Sequence, residues 1–219
     1  QQGTAEWLKL RTGIPTASQW KRIVTPKKLE LSAAAHGYLC ELLAERILHA
    51  PTDKAVTMWM ERGSQHEAEA VAYYEMSRVL DTVPVGFVTN DAGTIGASPD
   101  RLVGDDGLLE IKVPSPAEHV GYLLSAVGAG DEYRIQTQGQ LWVTGRAWVD
   151  IMSYNPGMPE ALFRFERDEE FIAKLAAAVE AFSERLEAMA LEFRSRGWIK
   201  DEVPAEVEDG IGALGITQD

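Results

Sequence analysis

Ser98-Pro99-Asp100-Arg101-Leu102-Val103-Gly104-Asp105-Asp106-Gly107-Leu108-Leu109-Glu110-Ile111-Lys112 is the stretch around which the rest of the 219-residue chain is organised. Two runs of β-type composition flank Gly104-Asp105-Asp106-Gly107, residues that accept positive φ and close tight turns, so the stretch reads as a hairpin. Alternate side chains of a strand share a face. Glu110 and Lys112 therefore lie on one side, and Leu109, Ile111 and Val113 on the other, toward the core. Ser98 and Asp100 share a face by the same rule. Two carboxylates and one ammonium are thereby gathered at the mouth of the hairpin.

Carboxylates held close together repel and lose hydration unless a positive charge lies between them. A divalent cation resolves the conflict. Oxygen ligands with positions left open for water and phosphate describe Mg²⁺ better than Zn²⁺, which asks for His or Cys. Lys112 is a mobile point charge that can orient or help deprotonate a metal-bound water while standing too far off to be a ligand. An isolated Glu-Xaa-Lys is otherwise an ordinary cross-face pair on a surface hairpin, and the preceding Pro99-Asp100 is what argues for a site.

Pro99-Asp100 with Glu110-Ile111-Lys112 resembles the PD-(D/E)XK nuclease signature, and the surroundings resemble one branch of it, the phage lambda-type alkaline exonucleases of viral recombination. Five segments similar to that branch occur in its order. They are Glu6-Trp7-Leu8-Lys9-Leu10-Arg11 with Thr16-Ala17-Ser18, Gly63-Ser64-Gln65-His66-Glu67, Ser98-Pro99-Asp100, Glu110-Ile111-Lys112, and Gln136-Thr137-Gln138 followed by Leu141-Trp142-Val143-Thr144. The resemblance runs from about residue 6 to the strand near Tyr154. It implies an α/β fold with a restriction-endonuclease-like core, a central mixed β-sheet flanked by helices. It also implies a Mg²⁺-dependent 5′ to 3′ exonuclease that acts on double-stranded DNA ends, releases 5′ mononucleotides and leaves 3′ single-stranded overhangs.

Residue by residue, the resemblance implies two Mg²⁺ ions per site, with Mn²⁺ as a substitute. Asp100 shares them, and Glu110, the main-chain carbonyl of Ile111 and Glu67 complete the shell, Glu67 through the spacing Gly63-Xaa-Xaa-Xaa-Glu67. Lys112 positions the attacking water, and Gln138 matches a glutamine that borders the metals. Arg11, Ser18 and Ser98 inherit the binding of the 5′ phosphate, for which the arginine fork is suited. Thr16 joins them as a DNA contact. Lys27 and Lys28 are loop lysines that either meet the DNA backbone or stay solvated. Met60 matches an apolar wedge that splits the terminal base pair, burial in the core being the other reading for Met58, Trp59 and Met60. The implied partners are further copies of the chain in a ring-shaped homotrimer and a single-strand annealing protein, in a cytoplasmic phage or prophage setting within a bacterial host. A site- or structure-specific endonuclease on the same core and a catalytically silent DNA-end-binding module are the alternatives.

The chain's 45% hydrophobic content supports one sizeable core, read as a single nuclease domain over residues 1–200 with an acidic tail at 201–219. One cysteine, Cys40, excludes an internal disulfide and a four-cysteine cluster, so a reducing location is the default. It also sets the chain apart from nucleases of similar motif that carry an iron-sulfur cluster. No apolar run approaches a membrane span and no signal-peptide pattern is present. A net charge of −13 is wrong for a protein that coats itself in nucleic acid. Its distribution is uneven, however. Residues 7–28 hold six basic side chains and no acidic one, whereas residues 166–219 hold fourteen acidic against six basic, which suits an enzyme that admits DNA at one place.

Helical periodicity is expected at residues 5–10, broken by Thr12-Gly13-Ile14-Pro15, after which Thr16 or Ser18 caps a short helix. Residues 32–48 repeat apolar positions at Tyr38, Leu39, Leu42, Leu43, Ile47 and Leu48, with Cys40 as a small buried thiol. A helix over 57–80, interrupted near Gly63, places Glu67, Ala70, Val71 and Tyr74 on one side. Strands are expected at 83–89 and 94–103, helices from 117 and 132, and strands at 148–154 and 161–166. On the second of those helices Gln136 and Gln140 share a face and Gln138 points elsewhere. By residue type alone all three read as solvated amides. A final helix starts at the N-cap Asp168 and carries a seam, Leu175, Val179, Phe182, Leu186, Met189 and Phe193, for its own sheet or for another subunit.

Overall fold

A computed structural model of the protein describes residues 2–52, 55–125, 128 and 130–200, without the side chains of 55–65. The acidic tail and the side chains of Met58, Trp59 and Met60 thus lie outside the described residues. The expected hairpin forms. Strand Arg101–Val103 pairs antiparallel with Gly107–Lys112, Val103 opposite Gly107. Gly104 takes the turn at a φ of 51°, and Gly107 lacks the Cβ that would collide with the ring of Trp148.

Numbering in chain order, the main sheet contains β1 (Thr82–Pro84), β4 (Arg101–Val103), β5 (Gly107–Lys112), β6 (Trp148–Ser153) and β7 (Ala161–Glu166), arranged β1-β4-β5-β6-β7. Only β5–β6 is parallel among these pairs, so the sheet is mixed, as the resemblance implies. A parallel neighbour requires a crossover, and helices α4 (Pro116–Leu124) and α5 (Gly130–Thr144) supply it. Ser115 starts α4 with a reciprocal capping box to Glu118.

The two long strands expected before this hairpin are each divided. β2 (Val88–Thr89) and β3 (Gly96–Ala97) form a separate two-stranded sheet, while β1 and β4 join the main one. Proline explains both breaks, because β1 ends at Pro84 and Pro99 stands between β3 and β4, each without an N–H for a ladder.

Helix α3 (Ala55–Arg78) is a single element without the expected interruption near Gly63. Its Ala70, Val71 and Tyr74 pack on Val103, Leu109, Ile111 and Met152 of the sheet. The opposite face is covered by α5, whose Leu141 meets Leu108 and Val149. A third layer lies beyond. Helix α6 (Glu169–Ser195), capped by the Asp168 carboxylate as expected, sets Leu175, Val179, Phe182 and Leu186 against α2 (Ala35–Leu48) and a short 3₁₀ helix, Ala17–Arg22, rather than on the sheet. Ile172, in the first turn of α6, reaches the sheet. The period that turns Tyr38, Leu39, Leu42 and Leu43 of α2 inward leaves Cys40 exposed, correcting the buried thiol expected from composition. Among the described residues no helix is long and apolar enough to cross a membrane.

Trp20 of the 3₁₀ helix, fully buried, presses on α5 at Gly139, where a Cβ would collide with its ring. A helical Gly→Ala change ordinarily gains up to about 1 kcal/mol of propensity, whereas overpacking costs about 1–3 kcal/mol. Gly139→Ala should therefore lower the urea-unfolding free energy by about 1–2 kcal/mol. An unchanged or raised midpoint would contradict the packing of α5 against Trp20.

Candidate active site

The site begins where the β4–β5 ladder stops. Arg101 faces Leu109, and continuing that register sets Pro99 opposite Ile111. Pro99 has no N–H, and its carbonyl accepts from Gln2 Nε2 at 2.8 Å. The Ile111 N–H donates instead to Asp100 Oδ2 at 2.6 Å, which pins this carboxylate at the end of β4. In a strand the N–H and C=O of one residue point to the same side, so the Ile111 carbonyl faces the same gap. Lys112, one residue on, turns its carbonyl the other way and accepts from Tyr154 N–H at 2.9 Å.

Glu110 and Lys112 share the face under α5. Only 3% of Glu110 is exposed. Its Oε1 accepts from Lys112 Nζ at 2.7 Å and from Gln136 Nε2 at 2.5 Å, and its Oε2 accepts from Gln140 Nε2 at 2.7 Å. The ammonium also lies 4.3 Å from the ring centroid of Tyr133.

Gln138 does not face this group. Its Nε2 donates to the Glu166 carbonyl at 2.9 Å and its Oε1 accepts from the Asp168 N–H at 2.9 Å, tying the end of β7 to the start of α6. Two residues along a helix turn the side chain about 200°, so a glutamine between Gln136 and Gln140 must point away from what they touch. Gln136, Gln140 and Tyr133 are the site residues that residue type alone missed. Their sequence signal is the spacing 133, 136, 140, one stripe of a helix.

Glu67 reaches the group from the α3 side of the sheet. Burial chiefly raises its pKa, and the Glu110 charge adds to this while Arg101 opposes it. Asp100 is held well above the usual carboxylate range by burial and then by the charge of Glu110, with Lys112 and the Ile111 N–H working against the shift. Burial depresses Lys112, but the carboxylates of Glu110 and Asp100 outweigh it, so the side chain stays an ammonium.

Among the described residues no three His, Cys, Asp or Glu side chains are gathered closely enough to hold a metal ion as they stand. Hydrogen bonds to Lys112, Gln136 and Gln140 engage both oxygens of Glu110, and Glu67 is not drawn in with Asp100 and Glu110. The donors that do converge are Asp100, Glu110 and the Ile111 carbonyl. All are oxygens, the donor type that suits a hard divalent cation.

A second group adjoins the first. Trp7 Nε1 donates to Ser98 Oγ at 3.1 Å, and the Arg11 guanidinium lies over the Trp7 ring, 4.0 Å from its centroid. Arg11 Nη2 donates to Thr16 Oγ1 at 3.4 Å, which is in turn 3.4 Å from Ser18 Oγ. Arg11 and Ser98 thus meet at one indole, and Arg11 links onward through Thr16 to Ser18. Burial lowers the pKa of Arg11, and no ion pair to it is found among the described residues. It lines a cavity of about 260 Å³ with Trp7, Thr16, Arg22 and Tyr38. Thr16 flanks the 3₁₀ helix without the expected side-chain cap, its own N–H donating to the Tyr38 hydroxyl at 3.3 Å. Lys27 and Lys28 are exposed on the following turn, with Lys28 4.0 Å from Glu30.

Comparison with known proteins adds context. A family model described as the YqaJ-like viral recombinase domain matches residues 6–147. Among solved structures the chain is similar to an alkaline exonuclease, LHK-Exo, from Laribacter hongkongensis, with 33% identity over 89% of this chain and 98% of that one and a TM-score of 0.77. It is likewise similar to LHK-Exo in complex with dAMP, with 32% identity, the same coverage of 89% and 98%, and a TM-score of 0.77. A phage-related exonuclease from Haemophilus somnus, 16% identical over 82% of this chain and 96% of its own, shares the fold at a TM-score of 0.67. No curated protein matches. The shared architecture is the α/β PD-(D/E)XK-type core implied by the sequence resemblance.

The raised pKa of Asp100 sets a pH dependence for the metal-free fold. A carboxyl whose folded pKa exceeds its unfolded one contributes stability below the ordinary carboxylate range and loses it as pH rises through the folded value. In EDTA at pH 7, Asp100→Asn, which keeps an oxygen for the Ile111 N–H, should be more stable than the parent in urea unfolding. The gain should vanish in acid. Equal stabilities at pH 7 would show that Asp100 bears no electrostatic penalty.

Proposed function

Because the chain belongs to the YqaJ-like viral recombinase domain family, we propose that it is a Mg²⁺-dependent 5′ to 3′ exonuclease of double-stranded DNA that releases 5′ mononucleotides and leaves 3′ single-stranded overhangs. The observation that carries this reading is the junction of two groups. Ser98, bonded to Trp7 beneath Arg11, stands two residues from Asp100, so a group of one arginine and several hydroxyls adjoins an acidic one. The related LHK-Exo forms a complex with dAMP, a nucleoside monophosphate of the kind such an enzyme would release.

Asp100, Glu110 and the Ile111 carbonyl would hold the cation, with Glu67 as a further acid, and the bound ion would supply an activated water and charge neutralisation for phosphodiester hydrolysis. The protein's own groups do the rest. Lys112, kept protonated by its carboxylate neighbours, orients the attacking water and the phosphate rather than taking a proton. Gln136 and Gln140 hold both oxygens of Glu110 in one orientation. Arg11 grips the terminal 5′ phosphate with the hydroxyls of Thr16, Ser18 and Ser98, setting the next bond over the acids. Lys27 and Lys28, exposed on the surface and the latter 4.0 Å from Glu30, would meet the duplex.

One substrate panel tests the reading. Blunt linear duplex with 5′ phosphates should be digested from its 5′ ends in Mg²⁺ and spared in EDTA, and closed circular DNA should stay intact. Duplex with 5′ hydroxyl ends should be cut roughly ten- to a hundredfold more slowly, the worth of hydrogen bonds to a charged group, and Arg11→Ala should erase most of that difference. Cutting of the circle would replace the exonuclease by an endonuclease, and equal rates on both linear substrates would remove the phosphate pocket.

A ring-shaped homotrimer with duplex in its channel, handing its product to a single-strand annealing protein, completes the proposal. An acidic protein of net charge −13 holds DNA poorly by attraction, and encirclement removes that need. Light scattering should report three times 24.1 kDa, and a mass of 24.1 kDa would sink the ring.

A further inference from the structure

Lys112 carries its charge on a flexible four-carbon stem, and three carboxylates pull on it: Glu110, Asp100 and Glu132. Attraction from three directions does not set one position. Glu110 Oε1 takes one hydrogen bond at 2.7 Å, and Gln136 Oε1 stands at 3.5 Å, the limit of a second. The remaining side of the ammonium is covered by the ring of Tyr133, 4.3 Å from centroid to Nζ. A cation over an aromatic face at this distance is held by the ring quadrupole, more strongly where water is scarce, and only 20% of the Lys112 side chain is exposed. Tyr133 is itself braced. It sits one turn before Gln136 on α5, and its hydroxyl is engaged with Tyr122, which donates to Glu132 Oε2 at 2.8 Å.

We propose that Tyr133 is a positioning residue whose ring face holds the Lys112 ammonium against Glu110, so that the charge stays where the scissile phosphate arrives. The contact stands on its own geometry, while its effect on rate rests on the nuclease reading.

Two variants separate the ring from the hydroxyl. Tyr133→Phe keeps the face, and Tyr133→Leu keeps apolar bulk without it. On 5′-phosphorylated duplex in Mg²⁺, the Leu variant should lose roughly threefold to thirtyfold in kcat at unchanged KM, and the Phe variant should stay within about twofold of wild type. A spectroscopic reading needs neither DNA nor metal. In protein labelled with ¹³C-lysine, with the Lys112 signal assigned by its loss in Lys112→Ala, the ε-CH₂ protons should be shifted upfield by the ring in wild type and in Tyr133→Phe. In Tyr133→Leu that shift should be gone. Unshifted protons in wild type, full kcat in the Leu variant, or an equal loss in both variants would overturn the proposal. A shift in wild type with no cleavage of any DNA would instead overturn the nuclease reading and leave the ring–ammonium contact in place.

Discussion

The nitrogen of Pro99 has no hydrogen to give to a neighbouring strand, and the arrangement of the site follows from that missing donor. Were the β4–β5 ladder to continue, residue 99 would exchange bonds with Ile111 and the residues between would be plain strand. Instead β4 stops at Arg101. A buried N–H left without an acceptor costs about 1–3 kcal/mol, and Asp100 meets the need of Ile111 with its side chain. The carboxylate is thereby pinned in the gap at the strand end, and the Ile111 carbonyl, deprived of a ladder donor, faces the same gap. Gln2 satisfies the Pro99 carbonyl from outside, so the N-terminus closes the cut edge.

The second constraint is topological. A parallel β5–β6 pair obliges the chain to cross over the sheet, and the returning helix α5 lies on the face that carries Glu110 and Lys112. One helix then serves two ends. Its 133–136–140 stripe grips the acid and the ammonium, while Gln138 on the opposite side fastens β7 to α6. Buried polar chemistry and the third layer of the fold are joined through a single element, on which Gly139 leaves room for the ring of Trp20.

Charge is handled locally. In the basic N-terminal region Arg22 is spent on an internal pair with Glu41 at 2.6 Å. Arg11 is instead partly buried over Trp7, its side chain hydrogen-bonded to the Thr16 hydroxyl and, among the described residues, not to a carboxylate, with Glu45 acting on it only through its charge. In the acidic group, Glu110 pairs directly with Lys112 and Asp100 stands nearby, while burial and the charge of Glu110 make ionisation of Asp100 costly. Neighbouring clusters of opposite sign in a protein of net charge −13 are what a phosphate and a cation would need to meet.

Short-range rules made part of this legible without a structure. The turn at residues 104–107, the opposite facing of Glu110 and Leu109, the common face of Gln136 and Gln140 and the cap at Asp168 all follow from periods and turn chemistry a few residues long, and the PD-(D/E)XK resemblance rests on such local strings. Long-range pairing decided the rest. Period says which side chains share a face of their own element but not what lies opposite that face, so Gln136 and Gln140 were solvated amides until Glu110 stood across from them. The same blindness hid the exposure of Cys40 and the layer against which α6 packs. Trp7, Arg11, Ser18 and Ser98 are separated by up to about ninety positions in the chain, and they became one group because Pro84 and Pro99 divide the strands and fold the segment bearing Ser98 back onto α1 (Ala5–Arg11). Which strand ends, and what fills the place left beside it, is settled by hydrogen bonds between distant parts of the chain, and those exist only once it has folded.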